Sequence, residues 1–268
     1  MIRATCVTVV FVAAVSISLP AQNRSRGDFG RADWCDDDPY DGRETRECRI
    51  LEATVGNGNV LDVDAGRNGG IRVRSWDRKE AHIRMKATAW SRDASEARDV
   101  VESVRLTTDN GLVRATSARE AGQWSASFEV QVPRNARLTL NARNGGLTLE
   151  EFQGTAEMDT VNGGISITDA RGEIRGTTRN GGISVSLTGQ RWDGRGLDLE
   201  TKNGGVSIVI PQGYSAELET GTWNGHLRVD FPVTVTGSLT RQIKTTLGSG
   251  GALIRALTTN GGVAIRQR

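Results

Sequence analysis

Asn-Gly-Gly recurs along this chain, and its spacing restricts the possible folds more than any other feature. The tripeptide begins at Asn68, Asn144, Asn162, Asn180, Asn203 and Asn260, with Asn-Gly variants at Asn110 and Asn224. The steps from Asn144 to Asn162 and from Asn162 to Asn180 are both 18 residues. The next two, to Asn203 and then Asn224, are 23 and 21, which reads as the same unit with a small turn insertion. Self-similarity at such a period marks a stacked repeat architecture.

Each unit carries two alternating segments. Ile165-Ser166-Ile167, Ile183-Ser184-Val185 and Val206-Ser207-Ile208 follow the glycines; Leu138-Thr139-Leu140, Ala156-Glu157-Met158 and Leu197-Asp198-Leu199 precede the asparagine. Strict alternation predicts strands with one buried face. The glycines suit a turn that needs positive φ, which asparagine also tolerates better than most residues. Each coil is expected to run strand, turn, strand, Asn-Gly turn. No single coil can bury its own apolar side, so stacked coils must share one narrow core. Hydrophobic residues at 37% and aromatics at 5% suit such a core, and 33 glycines among 268 residues, roughly 12% against ~7%, suit its many turns. The predicted fold class is all-β, a β-solenoid: a single-stranded β-helix-like stack of two-strand coils. A long antiparallel meander built on Asn-Gly hairpins is the alternative.

Parity assigns directions. Thr201, Leu199 and Leu197 share the side of Asn203, and Thr160 and Met158 that of Asn162. With leucines inward, the threonines and asparagines follow. Amides stacked at about 4.8 Å can then bond from rung to rung, giving an internal ladder of Asn144, Asn162, Asn180, Asn203, Asn224 and Asn260. The residue before each asparagine faces water: Arg143, Val161, Arg179, Lys202, Trp223 and Thr259. Arg143, Arg179, Lys202 and Trp223 form a candidate edge for an acidic sugar or a phosphate-bearing polymer. The alternative is a solvated edge whose charges deter sheet-to-sheet sticking. A second outward row, Thr139, Glu157, Arg175, Asp198, Glu219 and Arg255, alternates in sign over neighbouring rungs and reads as salt bridging. Glu157 and Asp198, two rungs apart, are the carboxylates a polysaccharide-degrading enzyme would need, at a separation just beyond the inverting range.

Upstream, residues 1–21 read as a signal peptide. Arg3 precedes the apolar Ala4–Leu19 stretch, and small residues follow up to Ala21. A transmembrane anchor is the competing reading, but the run is short and Gln22-Asn23-Arg24 follows at once. Residues 22–49 form an acidic segment closed by a disulfide between Cys35 and Cys48, worth about 3 kcal/mol for a loop of roughly 14 residues. A metal-binding cysteine pair is the rival, without partner histidines. Residues 50–268 form the solenoid, with early coils around Asn57-Gly58 and Asn68 and a strand from His82 to Trp90. Ala94, Ala97, Val100, Val101 and Val104 recur at helical spacing, so a short helix over about 93–106 is expected, capped by Asp93 with Glu96 completing a box. It is expected to cover an end or side of the stack.

Little else suggests chemistry. His82 and His226 are far apart, and the chain lacks Gly-x-Ser-x-Gly, His-Glu-x-x-His and Walker sequences. The acidic cluster Asp36, Asp37, Asp38, Asp41 and Glu44 places Gly42 out of register for an EF-hand. No cofactor or metal is expected, and the net charge of +2 gives no reason to expect nucleic acid as a partner.

Val130-Gln131-Val132-Pro133, Leu138-Thr139-Leu140, the repeated Asn-Gly-Gly and the closing Leu257-Thr258-Thr259-Asn260-Gly261-Gly262-Val263-Ala264-Ile265 resemble the bacterial putative-adhesin domains of unknown function. The resemblance covers about residues 50–268 and implies a β-helical fold and a cell-envelope location; it brings no catalytic residues. The expected protein is exported, to periplasm, outer surface or medium, with no transmembrane anchor after signal removal. Its expected role is a non-enzymatic scaffold for a cell-surface polymer or an envelope protein. A polysaccharide-degrading β-helix enzyme and a self-assembling structural module are the alternatives.

Overall fold

A computed structural model describes residues 29–30, 34–37, 44–119, 123–231 and 241–268. The expected signal peptide lies outside the described residues, as do Asp38 and Asp41 of the acidic cluster.

The period-two segments form coils. Strands β1 (Thr45–Val55), β2 (Val60–Asp64), β3 (Ile71–Trp76) and β4 (Ala81–Ser91) precede helix α1 (Ala94–Ser103). Then come β5 (Val104–Asp109), β6 (Leu112–Ser117) and β7 (Trp124–Pro133). The regular coils follow as β8 (Ala136–Asn144) with β9 (Leu147–Glu150), β10 (Gln153–Asn162) with β11 (Ile165–Thr168), and β12 (Arg171–Asn180) with β13 (Ile183–Ser186). They continue as β14 (Gly196–Asn203) with β15 (Val206–Ile210) and β16 (Ala216–Asn224) with β17 (Leu227–Val229). The chain ends with β18 (Gln242–Leu247), β19 (Leu253–Asn260) and β20 (Val263–Gln267).

Two ten-stranded sheets result, ordered β1-β4-β7-β3-β9-β11-β13-β15-β20-β17 and β18-β16-β19-β14-β12-β10-β8-β2-β6-β5. Their inner faces share one apolar core. Coil pairs on coil in parallel and in step: Leu138, Ala156, Ile174 and Leu197 are successive partners, as are Asn144, Asn162, Asn180 and Asn203. The fold is therefore a β-solenoid, and the meander is ruled out for these coils. Antiparallel pairs occur only towards the ends among the described strands: β1 with β4, β4 with β7, β5 with β6, and β16 with β18.

Helix α1 is shorter than expected, because Val104 already starts β5. It buries Ala97, Val100 and Val101 against β1 and β4. The Asp93 carboxylate accepts from the Ser95 N–H at 2.8 Å. Glu96 does not close the expected box. It accepts from the Ser91 hydroxyl, which in turn accepts from the Asp93 N–H.

Three sequence-based expectations are corrected. The rungs do not follow chain order: β19 and β20 lie between the β14–β15 rung and the β16–β17 rung, so Asn260 separates Asn203 from Asn224. Asn110 is no corner, since Asn110 and Gly111 take φ of 52° and 82° and join β5 to β6 as an antiparallel hairpin. Likewise Asn57-Gly58 lies in the link from β1 to β2. Finally, positive φ explains few of the corner glycines. Gly145, Gly163, Gly181 and Gly204 are not left-handed; they are needed because backbones touch. A Cβ on Gly163, Gly181 or Gly204 would sit 2.0 Å from the carbonyl oxygen of Gly145, Gly163 or Gly181 respectively.

The opposite corner is filled by side chains. Phe152, Ala170, Trp192 and Tyr214 are buried there, and the Trp192 indole donates to the Gly172 carbonyl at 3.0 Å. Burial pushes the Tyr214 phenol up to about 12; nearby Asp193 adds to this and Arg171 opposes it.

Two predictions follow from this packing. Gly163→Ala should cost about 3 kcal/mol or more in denaturant unfolding, because the clash is with backbone that cannot yield. Gly56→Ala, where an added Cβ meets nothing within 4 Å, should change stability by less than about 0.5 kcal/mol. Tyr214 gives a pH signature. Below its ordinary pKa of 10.0 the phenol is neutral folded or unfolded, whereas between there and about 12 only the unfolded chain ionises, so stability falls as pH rises. Tyr214→Phe should flatten that alkaline limb in unfolding midpoints measured across this range.

Candidate functional site

At the Asn-Gly-Gly corner the strand alternation ends, and the last two side chains of each second-sheet strand diverge from it. The residue two places before each asparagine of the expected ladder stays inside: Ala142, Thr160, Thr178, Thr201, Thr222 and Thr258 are all buried. A buried hydroxyl needs a partner, and among the described residues that of Thr222 has none, unlike the other four. Thr160, Thr178, Thr201 and Thr258 donate to the carbonyls of Gly145, Gly163, Gly181 and Gly204, at 2.9, 2.7, 2.7 and 2.7 Å.

The asparagines do not follow the threonines inward. Asn144, Asn162, Asn180, Asn203, Asn224 and Asn260 are exposed, which corrects the expectation of an internal ladder. Their amides nevertheless bond in file. Asn224 donates to Asn260, Asn260 to Asn203, and Asn203 to Asn180, each at 2.9 Å. Asn180 donates to Asn162 and Asn162 to Asn144, both at 2.8 Å. Asn144 donates to Asn68 at 3.1 Å, and Asn68 to the Trp124 carbonyl at 3.4 Å. Within the file each amide from Asn260 to Asn144 donates one bond to the next and accepts one at its oxygen, and most leave an N–H and a lone pair facing water.

Beside this file runs the row of residues that precede the asparagines. Its spatial order is Arg67, Arg143, Val161, Arg179, Lys202, Thr259, Trp223, all exposed. Trp223 is 70% exposed, unusual for so large an apolar ring. The structure brings Arg143, Arg179 and Lys202 into one line as expected from parity. Trp223 lies at its end, two rungs beyond Lys202 rather than one, because Thr259 intervenes. Arg67 was missed, although Arg67-Asn68-Gly69-Gly70 repeats the Arg-Asn-Gly-Gly of Arg143 and Arg179. Among the described residues Arg67, Arg143, Arg179 and Lys202 form no ion pair. Arg72, Arg84, Arg134, Arg195 and Arg255, on other faces, each hold a carboxylate within 3.1 Å.

The second outward row is partly closed by ion pairs. In space Arg255 stands between Asp198 and Glu219, and it pairs with Asp198, Glu200 and Glu219. Burial disfavours its charge, but hydrogen bonds to Asp198 and Glu200 outweigh that and raise its pKa. Arg175, between Glu157 and Asp198, pairs instead with Glu173 at 3.3 Å. A shallow groove near the start of these strands is lined by Arg137, Glu157, Glu173, Asp193 and Arg195.

At the amino-terminal end the disulfide Cys35–Cys48 is formed, with Cα atoms 5.8 Å apart. Its segment lies on the outer face of the first sheet. The Trp34 ring faces Arg84 and Lys86, and the Phe29 ring is 4.8 Å from both Arg72 and Arg74. Beneath it Arg84 pairs with Glu129 at 2.8 Å, both side chains under 10% exposed. His82 is 3.6 Å from Glu52 and stacks on Trp76, whereas His226 sits exposed at the Asn224 corner. Among the described residues no three His, Cys, Asp or Glu side chains are grouped to hold a metal ion. Among them, too, no helix is long and apolar enough to cross a membrane.

Taken together these features define a parallel two-sheet β-solenoid with an uncovered polar corner. The chain belongs to the Toastrack DUF4097 family, whose sequence profile matches residues 51–266. No curated protein matches it. Among solved structures it is similar to a putative cell adhesion protein from Clostridium sporogenes, at 9% identity and a TM-score of 0.36 over 84% of this chain and 100% of that one. A putative adhesin from Bacteroides fragilis is similar at 10% identity and a TM-score of 0.36, over 82% and 97% of the two chains. A putative lipid binding protein from Parabacteroides distasonis gives 7% and 0.33, over 81% and 96%. At such scores, what those proteins bind says nothing of this chain.

The corner yields a stability test. Thr178→Val leaves the Gly163 carbonyl without its donor and should cost about 1–3 kcal/mol. Asn162→Ala breaks two amide bonds, but water can replace them at an exposed position, so about 1 kcal/mol or less is expected. Denaturant midpoints of the two variants should fall in that order.

Proposed function

We propose that this protein is an exported, non-enzymatic scaffold of the cell envelope that holds an anionic surface polymer along its Asn-Gly-Gly edge. The observation that carries the reading is the file of Arg67, Arg143, Arg179 and Lys202, four exposed cations without carboxylate partners among the described residues. Four rung steps separate the first from the last, about 19 Å at the usual strand spacing. A linear polymer lying along the stack would meet guanidinium groups able to grip carboxylate, sulfate or phosphate in two-point fashion. The neighbouring amides supply donors and acceptors for hydroxyl groups, and the Trp223 ring offers a flat apolar face to a sugar. The signal-like amino terminus and the disulfide support export, since disulfides persist in oxidising compartments.

Binding should weaken as salt rises, because exposed charges carry it. The triple variant Arg143→Gln, Arg179→Gln, Lys202→Gln should lose at least about tenfold in affinity for an acidic glycan or polyphosphate, equivalent to ~1.4 kcal/mol. Glu157→Gln and Asp198→Asn should leave it unchanged. Equal binding by the triple variant and the parent would overturn the edge. Turnover of the polymer, abolished by Glu157→Gln, would replace the scaffold with an enzyme.

A further inference from the structure

The order of the rungs near the carboxyl terminus differs from the order of the chain. Residues 253–267 follow both neighbouring rungs in the chain, yet they fill the place between them. On one side β19 and β20 pair with β14 and β15, and on the other with β16 and β17. The inserted rung is fully engaged. Gly204 and Val206 donate to the carbonyls of Asn260 and Gly262, while Gly261 and Val263 donate to those of Asn224 and His226, all at 2.8–3.1 Å. Ile254, Ala256, Val263 and Ile265 are buried in the core. Without this rung four strand edges and a slot one rung wide would lie open, the most association-prone feature a sheet can present.

The chain skips the level of the slot before it reaches the rung that fills it. From β15 to β16 the five residues 211–215 climb two rung spacings, whereas residues 169–170 climb one between β11 and β12. At that corner the 187–195 segment supplies the missing level: Ser215 donates to the Gln190 carbonyl at 2.8 Å, and Arg191 and Ser215 form a parallel bridge. The chain then returns as β18 on the outer side of β16 and crosses over it to β19. The crossing is Gly248-Ser249-Gly250-Gly251-Ala252, in which Gly248 and Gly250 are left-handed at φ 53° and 76°.

We infer that residues 253–268 are an exchangeable rung, and that two copies of this chain join by inserting each other's carboxyl-terminal rung into the slot between β14–β15 and β16–β17. The chain's own rung fills the slot here, and in an exchanged pair its occupant is the same rung of the second copy. The slot asks for a strand with an inward Thr two places before an Asn-Gly-Gly corner and with apolar residues in phase on both arms, which Ile254 to Ile265 provide. Exchange preserves every rung contact and alters only the glycine crossing, the general condition for a low-cost swapped dimer. The reading is independent of the cationic edge, but it would place two such edges in one particle and raise avidity for a repeating polymer.

The test uses the full chain with Glu200→Cys and Leu257→Cys, positions that face one another across β14 and β19. Closed monomers oxidise within one chain; exchanged dimers oxidise between chains. The chain is refolded from dilute and from concentrated solution, oxidised, and run denatured without reductant, with Glu200→Cys alone as background. Covalent dimer should be near background from dilute solution, and its ratio to monomer should rise in proportion to chain concentration. Removing Ser249, Gly250 and Gly251, which leaves too short a crossing for closure over β16, should convert most of the chain to the dimer. Should the double-cysteine chain fold poorly, sedimentation of the refolded parent chain reads the same concentration dependence. Monomer alone under all these conditions, or dimers that fall apart in denaturant with each 200–257 bond closed internally, would overturn the exchange.

Discussion

The contact between one corner glycine and the carbonyl of the glycine beneath it fixes the rest of this molecule. Where a Cβ on Gly163 would meet the Gly145 oxygen at 2.0 Å, two rungs can approach only in a single register. That register turns every repeated residue into a column. Thr160, Thr178, Thr201 and Thr258 then reach the same carbonyls, the amides bond in file, and the residues before them line one edge. Removing a side chain at that one position organises three rows of side chains elsewhere.

Much of this was legible in the chain itself. Alternation located the strands, the 18-residue step implied parallel stacking, and parity placed the threonines inside. Parity failed two residues later, at the asparagine, because the corner ends the pleat: Arg143 and Asn144 both face water although they are neighbours. The dipeptide at Asn110 could not be told from a corner, since Asn-Gly also makes a tight hairpin and only the positive φ of both residues decides between them. The rung order was hidden for a different reason. Asn203, Asn224 and Asn260 stand in nearly identical local contexts, and a step of 21 residues imitates a neighbour that is two levels away. Local pattern identifies which residues make a rung; only the length of the 187–195 and 211–215 connections hints at which level it occupies.

Charge is handled differently on two surfaces of the molecule. On the outer face of the first sheet, cations are compensated and covered: Arg84 is held by Glu52 and Glu129 and lies under Trp34. The disulfide keeps that cover in place by tying the turn at Trp34–Asp37 to β1. A covered pair of this kind is costly to break, because either partner alone would be a charge without water. At the Asn-Gly-Gly corner no carboxylate among the described residues is paired with the cations, and their charge stays available to whatever approaches in water.

The amide file has a direction. From Asn224 through Asn260, Asn203, Asn180, Asn162 and Asn144 to Asn68, the bonded side-chain N–H of each donor points towards the amino-terminal rungs and each accepting carbonyl away from them. Dipoles aligned in this way add, as they do along a helix axis. The edge thus has a positive pole beside Arg67 and Arg143 and a negative pole beside Trp223. A strand of the proposed polymer with distinct head and tail would not experience the two orientations as equal, so its docking would favour one direction along the edge.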